Sequence, residues 1–175
     1  LADGSVRCAI VNEGHRRKMS ISVVVPDQLL GPITTNEIWS ETYDRIAAES
    51  KEHRSTLVFV NTRRLVERVS YQLEERLGKG KVAAHHGSLS RATRLKAEEG
   101  LKAGVTPVVV ATASLELGID IGHVDIVCQV GAPRSLATLL QRIGRSGHQL
   151  RGTAKGLLFP QTRDELMQCA AAVWA

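Results

Sequence analysis

Three polar residues in the last third of the sequence have a spacing that could act on an anionic group. Gln141, Arg145 and His148 stand at positions i, i+4 and i+7, which places three side chains on one face of a helix. An arginine held on such a face can stabilise the negative charge that develops on a phosphoryl group in a transition state. The pattern therefore indicates phosphoryl-transfer chemistry, although a solvated surface arginine also fits it.

Other kinds of catalytic site have little support in the sequence. His85 and His86 are adjacent, so on a strand they would point to opposite faces, and no cysteine or carboxylate shares a metal-ligand spacing with them. No serine lies in a G-x-S-x-G turn. The segment 78–81 (GKGK) lacks the upstream glycine and the hydroxyl residue of a phosphate-binding loop. We therefore expect no metal site, and no ATP hydrolysis by this chain on its own.

The charge of the chain favours an anionic partner. Its 175 residues include 23 Lys and Arg against 18 Asp and Glu, a formal net charge of +5. Nucleic acid is favoured over a membrane, because no apolar run approaches the roughly 20 residues that a spanning helix needs. Cys8, Cys128 and Cys169 are odd in number and widely spaced, so neither a disulfide framework nor a zinc ribbon is expected. A reducing, cytoplasmic location is the default.

Apolar periodicity predicts strands that alternate with helices. The predicted strands are 21–25, 56–60, 81–85, 107–111, 125–130 and 153–159. The predicted helices are 37–52, 65–77, 90–103, one that carries 141–148, and one from 163 to 175. Alternation at this spacing implies βαβ units, a mostly parallel sheet and helices on both faces, with ligands at the carboxyl ends of the strands.

The two ends of the sequence have their own predicted roles. Residues 1–20 are polar and are predicted to be a linker or edge segment from a preceding domain, while 21–175 form one domain. The first residue is not methionine and no cap follows the last helix, so we expect a fragment of a larger protein. Asp164 and Glu165 begin that helix, where carboxylates favour the positive dipole end, and we interpret them as capping residues rather than a magnesium-binding pair.

Four segments, in chain order, resemble the conserved blocks of the second RecA-like domain of superfamily 2 helicases. They are 57–63 (LVFVNTR), 86–90 (HGSLS), 110–120 (VATASLELGID) and 141–148 (QRIGRSGH). Within that superfamily, 116–122 (ELGIDIG), 131–135 (GAPRS) and the final glycine-histidine of the last block are most similar to the large helicase-related, or Lhr-type, group. The resemblance implies a RecA-like three-layer α/β sandwich and an ATP-driven motor, whose phosphate loop belongs to a first RecA-like domain that precedes this one.

The resemblance also implies which residues face the nucleotide. Arg145 matches the arginine finger that reaches the γ-phosphate across the interdomain cleft, and Gln141 and Arg142 match neighbours that line this cleft. His148 stands where many relatives have a second arginine, so it is a candidate for the same surface, or only a helix C-cap. ATP and Mg would be bound mainly by the absent first domain. The turn and the carboxylate near the nucleotide ribose match Gly118 and Asp120.

Further matches concern nucleic acid, with single-stranded DNA as the expected partner. Thr112 matches the hydroxyl that holds a strand phosphate. The loops along the nucleic-acid track match Asn61, Thr62, Arg63, His86 and Gly87. We therefore expect the C-terminal motor domain of an ATP-dependent 3′ to 5′ DNA helicase. An RNA-remodelling helicase domain and a non-catalytic nucleic-acid binding module are the alternatives.

Overall fold

A six-stranded sheet forms the centre of the domain in the computed structural model, which describes residues 18–116, 121–147 and 153–175. The strands are β1 (Met19–Val23), β2 (Thr56–Phe59), β3 (Val82–His85), β4 (Val108–Ala111), β5 (Ile126–Val130) and β6 (Ala154–Phe159). Their order is β1-β6-β5-β2-β4-β3, and every neighbouring pair in this sheet is parallel. The predicted parallel sheet is confirmed, although β1 begins inside the segment predicted to be a linker.

Helices connect the strands, and each of those described begins at a hydroxyl side chain. They are α1 (Asn36–Glu52), α2 (Arg63–Leu77), α3 (Arg91–Ala103), α4 (Leu136–Ile143) and α5 (Arg163–Trp174), with a short 3₁₀ helix at Ala113–Leu115. The side-chain oxygens that accept a first-turn N–H belong to Thr35, Thr62, Ser90, Ser135 and Thr162. These caps satisfy helix donors that would otherwise lack a partner. Each of these helices follows a strand of the parallel sheet, so its first residues lie near the carboxyl end of that strand. The helix starts therefore lie near one edge of the sheet, the carboxyl edge.

The two faces of the sheet support two separate hydrophobic cores. One core joins Leu57, Phe59 and Val109 to residues of α3, α4 and α5, such as Leu101 and Leu139. The other joins the alternate strand residues to α1 and α2; its members include Val58, Val110, Cys128, Tyr43, Ile46, Val69 and Leu73. Successive side chains of a strand point to opposite faces, so a strand covered on both faces is apolar throughout. This arrangement confirms the three-layer α/β architecture.

The end of α4 differs from the sequence prediction. The helix was expected to continue through 148, but it ends at Ile143 and is followed by a tighter turn in which Arg145 N donates to Arg142 O (3.0 Å). Gly144 and Gly147 are poor helix formers, and Gly147 adopts a left-handed φ of +68° where its N–H bonds Val124 O. The prediction that Arg145 lies on one helix face with Gln141 is therefore wrong.

Three residues predicted for the nucleotide side, Gly118, Asp120 and His148, lie outside the described ranges. The capping role predicted for Glu165 is observed, since its Oε2 accepts from Gln161 N at 2.8 Å while Thr162 Oγ1 accepts from Glu165 N at 3.3 Å. Across 18–116, 121–147 and 153–175, no helix has both the length and the apolar character needed to cross a bilayer.

The packing of α4 on β6 generates a test of how the fold holds the turn that carries Arg145. A Cβ added at Gly156 would lie 2.6 Å from Ile143 Cδ1, so Gly156→Ala must displace the end of α4. We expect a loss of about 1–3 kcal/mol in the free energy of unfolding, as for other overpacked cores. Gly31→Ala is the control, because its Cβ would meet no atom closer than 3.6 Å. Urea denaturation measures both variants, and equal stabilities would contradict this packing.

Candidate functional site

A cleft of about 480 Å³ opens at the carboxyl edge of the sheet, where the loops after β2, β4 and β5 meet. Its lining residues are Asn61, Thr62, Arg63, Thr112, Ala113, Glu116, Arg134, Thr138 and Arg142. Four residues predicted for the nucleic-acid track are thus brought together, namely Asn61, Thr62, Arg63 and Thr112. Two others, His86 and Gly87, do not line it but lie in the neighbouring loop after β3.

Helix starts surround this cleft. Thr62 caps α2, the α4 start contributes Arg134 and Thr138, and Thr112 precedes the 3₁₀ helix. Backbone N–H groups at a helix start, together with the helix dipole, form an anion-binding site. The Thr62 hydroxyl accepts from Leu65 N (3.2 Å), so its own O–H still has a proton to donate. The Thr112 hydroxyl makes no capping bond to the 3₁₀ helix.

Two exposed arginines add charge at the mouth of the cleft. Arg63 Nη1 donates to Ser88 Oγ at 2.7 Å, which ties the start of α2 to the loop after β3. Arg134 Nη2 donates to Asn61 O at 3.3 Å. The sequence pattern predicted no role for Arg134. However, Arg134 lies in the loop after β5, just as Thr112 lies in the loop after β4. Only the strand order, which places β5 next to β2, shows that the two loops share one cleft.

A buried ion pair forms part of the floor of the cleft. Arg142 is 2% exposed, and its guanidinium donates from Nε to Glu116 Oε1 (2.8 Å), from Nη2 to the same carboxylate and from Nη1 to Gln129 Oε1. The guanidinium carbon also lies 4.9 Å from the centre of the Phe59 ring. Gln129 in turn donates to the carbonyls of Val130 and Gly131. Arg142 therefore holds the loops of the cleft in place, and its predicted role beside a nucleotide stays a prediction.

Glu116 also contacts the arginine predicted to be the finger. Arg145 Nη2 donates to Glu116 O at 2.7 Å, so one residue binds Arg142 through its carboxylate and Arg145 through its carbonyl. Arg145 is half-buried, whereas Gln141 is exposed on the last turn of α4. The backbone at Glu116 thus joins the cleft to the turn after α4.

The loop after β3 is fixed by a histidine that is almost fully buried. His86 is 5% exposed, and its Nδ1 accepts from Ser88 N at 3.2 Å. Because Nδ1 accepts, Nε2 carries the proton and donates to Glu67 Oε1 at 2.6 Å. This tautomer orients the loop that contains Gly87 and Ser88, so the ring itself holds the loop rather than offering a free donor to a ligand.

The described residues give no support to thiol or metal chemistry. Cys128 and Cys169 are both buried, and burial raises the pKa of the Cys169 thiol to about 11 and that of Cys128 further still. Thiols with a raised pKa stay protonated near pH 7 and are poor nucleophiles. In the part of the chain that the structure describes, no three His, Cys, Asp or Glu side chains are grouped so that they could hold a metal ion.

Comparisons with known proteins show which family the chain belongs to. The model of the helicase conserved C-terminal domain family matches residues 37–149. The chain is 42% identical over 161 residues to the ATP-dependent helicase Lhr-Core of Methanocaldococcus jannaschii, and this match covers 92% of the chain but 19% of that protein. It is 39% identical to the Lhr helicase/probable uracil glycosylase of Mycolicibacterium smegmatis, with 89% of the chain and 12% of that protein covered. The chain therefore spans less than a quarter of the length of these relatives.

Solved structures show the same fold. The helicase Lhr of Mycobacterium smegmatis bound to single-stranded DNA and AMP-PNP superposes with a TM-score of 0.81 at 42% identity, and covers 91% of this chain and 22% of its own. The DUF1998 helicase MrfA bound to DNA superposes with a TM-score of 0.70, with 88% of this chain and 22% of its own covered. At 22% identity, the second similarity concerns the fold alone.

The buried ion pair below the cleft generates a second test. Arg142→Met leaves the Glu116 carboxylate without its partner, and breaking a buried pair costs about 3–5 kcal/mol. Arg45→Met is the matched control, because Arg45 pairs with Asp27 and Glu41 while its side chain is 40% exposed, and such pairs contribute at most about 1 kcal/mol. Chemical denaturation measures both losses. Equal losses would show that the Arg142 pair does not stabilise the cleft.

Proposed function

This chain belongs to the helicase conserved C-terminal domain family and is of the Lhr type, with a RecA-like fold, and we propose that it is the second motor domain of an ATP-dependent 3′ to 5′ DNA helicase. ATP and Mg would be held mainly by a preceding RecA-like domain, with Gly118 and Asp120 of this domain near the ribose. The bound nucleotide supplies the phosphoryl group whose hydrolysis drives the motor. A cytoplasmic location and a part in DNA repair belong to the same proposal.

The observation that carries the proposal is the composition of the cleft at the carboxyl edge of the sheet. Helix starts, threonine hydroxyls and two exposed arginines converge there. These groups suit phosphate oxygens rather than base edges, so the proposed binding is indifferent to sequence. The chain has only two Trp, two Tyr and two Phe, which argues against base stacking as the main contribution to affinity.

Single-stranded DNA is the proposed ligand of this cleft. The Lhr relative at 42% identity was solved with single-stranded DNA and AMP-PNP, which supports both the strand and the adenine nucleotide as ligands of this type of motor. The proposed track runs from the loop after β5 to the loop after β3. Arg134 links the first of these loops to Asn61, and Arg63 links the start of α2 to Ser88 in the last. Arg134 joins the predicted track residues as a further phosphate contact.

On the nucleotide side, Arg145 is the proposed arginine finger. Its guanidinium is oriented by the Glu116 carbonyl, and Glu116 is itself anchored through Arg142 below the DNA cleft. A phosphate bound by the loop after β4 would therefore be connected through Glu116 to the group that orients the finger. This connection is the proposed route by which a bound strand affects ATP hydrolysis.

A paired substitution tests the DNA cleft in the full-length helicase. Thr112→Val keeps the shape of the side chain but removes a hydroxyl, and we expect about tenfold weaker binding of an oligothymidine, the loss typical of a hydrogen bond to a charged group. Arg134→Ala should also weaken binding and lower the slope of log K against log salt by roughly 0.7, because one fewer cation contacts the strand. Fluorescence anisotropy across a salt series measures both quantities.

The controls separate the contribution of the Thr112 hydroxyl from that of the Arg134 charge. Thr112→Ser retains the hydroxyl and should bind almost as the parent protein does. Thr112→Val should leave the salt slope unchanged, since a neutral hydroxyl releases no counterion. Binding that is insensitive to salt, or that depends on base sequence, would exclude a phosphate-binding track in this cleft.

A second experiment tests the finger in the same full-length protein. Arg145→Ala should lower the ATPase kcat by about 10³-fold or more and leave nucleotide affinity nearly unchanged, because the charge acts mainly in the transition state. Arg45→Ala, at a surface ion pair on α1, is the control and should keep the parental rate. An Arg145→Ala enzyme that differs only in KM would show that this arginine binds the ground state and is not the finger.

A further inference from the structure

A buried histidine at the end of β3 contacts the turn that carries Thr112. We call residues 112–115 the Thr112 turn. His85 is 0% exposed, and its Nδ1 lies 2.8 Å from Ser114 Oγ while its Nε2 lies 2.8 Å from Glu98 Oε1 on α3. Its backbone carbonyl accepts from Thr112 N at 3.3 Å and from the Ser114 hydroxyl at 3.1 Å. One residue thus holds the Thr112 turn through both its ring and its carbonyl.

Among the described residues, the other restraints on the Thr112 turn lie at its C-terminal end, where the following Glu116 is paired with Arg142. Leu115 anchors its last residue in the apolar core at 1% exposure, whereas Ala113 is exposed and Ser114 is only half-buried. Among the described residues, the imidazole is therefore the side chain that bonds the Ser114 hydroxyl, and Ser114 lies within the 3₁₀ helix that follows Thr112.

We propose that His85 is a positioning residue for DNA binding, which orients the Thr112 turn so that its hydroxyl and N–H groups face a strand phosphate. Glu98 braces the imidazole from the opposite side, at a nitrogen that cannot reach the turn. His85 itself does not line the cleft, so it acts on the strand only through Ser114 and Thr112. This inference rests on the proposed function, because it assumes that the cleft binds phosphates.

Stability alone does not explain why an imidazole occupies this position. A buried polar pair is weak evidence for stability, since an apolar residue of similar volume often serves as well. A role in stability would involve the contact to Glu98 as well as the contact to Ser114. A positioning role depends on the Ser114 contact alone, so the two contacts can be separated by substitution.

The test uses two amides of different length in the full-length helicase. His85→Asn places an amide near the position of Nδ1, so it keeps the contact to Ser114 and loses that to Glu98. His85→Gln reaches as far as Nε2, so it keeps Glu98 and loses Ser114. We expect His85→Gln to weaken binding of an oligothymidine about tenfold, and His85→Asn to weaken it by less than about threefold. The two variants should have similar thermal stabilities.

A kinetic readout accompanies the binding measurement. In the DNA-stimulated ATPase assay, His85→Gln should raise the DNA concentration for half-maximal stimulation about tenfold and leave kcat at saturating DNA unchanged. Ser114→Ala removes this contact from a half-buried position, together with the bond from the hydroxyl to the His85 carbonyl. It should fold even if a His85 variant does not, and should weaken binding at least as much as His85→Gln.

The outcomes distinguish this inference from the function on which it rests. Thr112→Val is included as the reference for a direct loss of a phosphate contact. If Thr112→Val weakens binding while His85→Gln and Ser114→Ala do not, the positioning role is wrong and the DNA cleft stands. Equal effects of His85→Asn and His85→Gln also overturn it, in favour of a purely structural histidine. If no variant affects binding, the proposed DNA cleft fails, and the inference fails with it.

Discussion

A guanidinium cannot be buried without partners, and this constraint determines the geometry of the cleft. Arg142 is 2% exposed and lies below the loops at this edge of the sheet. Its guanidinium donates to Glu116 after β4 and to Gln129 at the end of β5. Asn61, after β2, lies at the longer distance of 3.5 Å from its Nη1. The planar, five-donor guanidinium suits such a junction, because a lysine ammonium cannot present a bidentate fork. Each loop is thereby held at a fixed distance from the others.

The energetics of the Arg142–Glu116 pair explain what it contributes to the structure. A buried ion pair adds little net stability over an apolar replacement, but loss of one partner is costly. The pair therefore defines one arrangement of the loops rather than strengthening the fold in general. Glu116 extends the arrangement, because its carbonyl receives Arg145 while its carboxylate holds Arg142. Both proposed ligand surfaces, for a DNA strand and for a nucleotide phosphate, thus depend on the placement of one glutamate.

Local patterns were sufficient to predict most of the fold. Apolar runs such as Val108–Ala111 and hydroxyl caps such as Ser90 depend on neighbours in sequence, and the structure has them where the sequence placed them. The end of α4 was missed because its glycines and the pairing of Ser146 with Val124 outweigh helical periodicity. Arg134 and the Arg142 network were missed for another reason. They depend on which strands are neighbours, and β5 beside β2 is a tertiary fact that no local pattern contains.

The proposed track binds phosphate mainly through hydroxyls and backbone N–H groups, with few arginines, and such contacts suit a motor that moves along a strand. Hydrogen bonds to phosphate from neutral groups each contribute about a factor of ten in affinity, so one can break and re-form one nucleotide further along without a large barrier. Contacts of this strength give net affinity only if their donors are held rigidly, because ordering a mobile turn on binding would cost a comparable free energy. The buried contacts of Arg142 and His85 supply that rigidity from below the surface. A cleft of weak donors on a rigid support is therefore suited to holding a strand at each step and releasing it at the next.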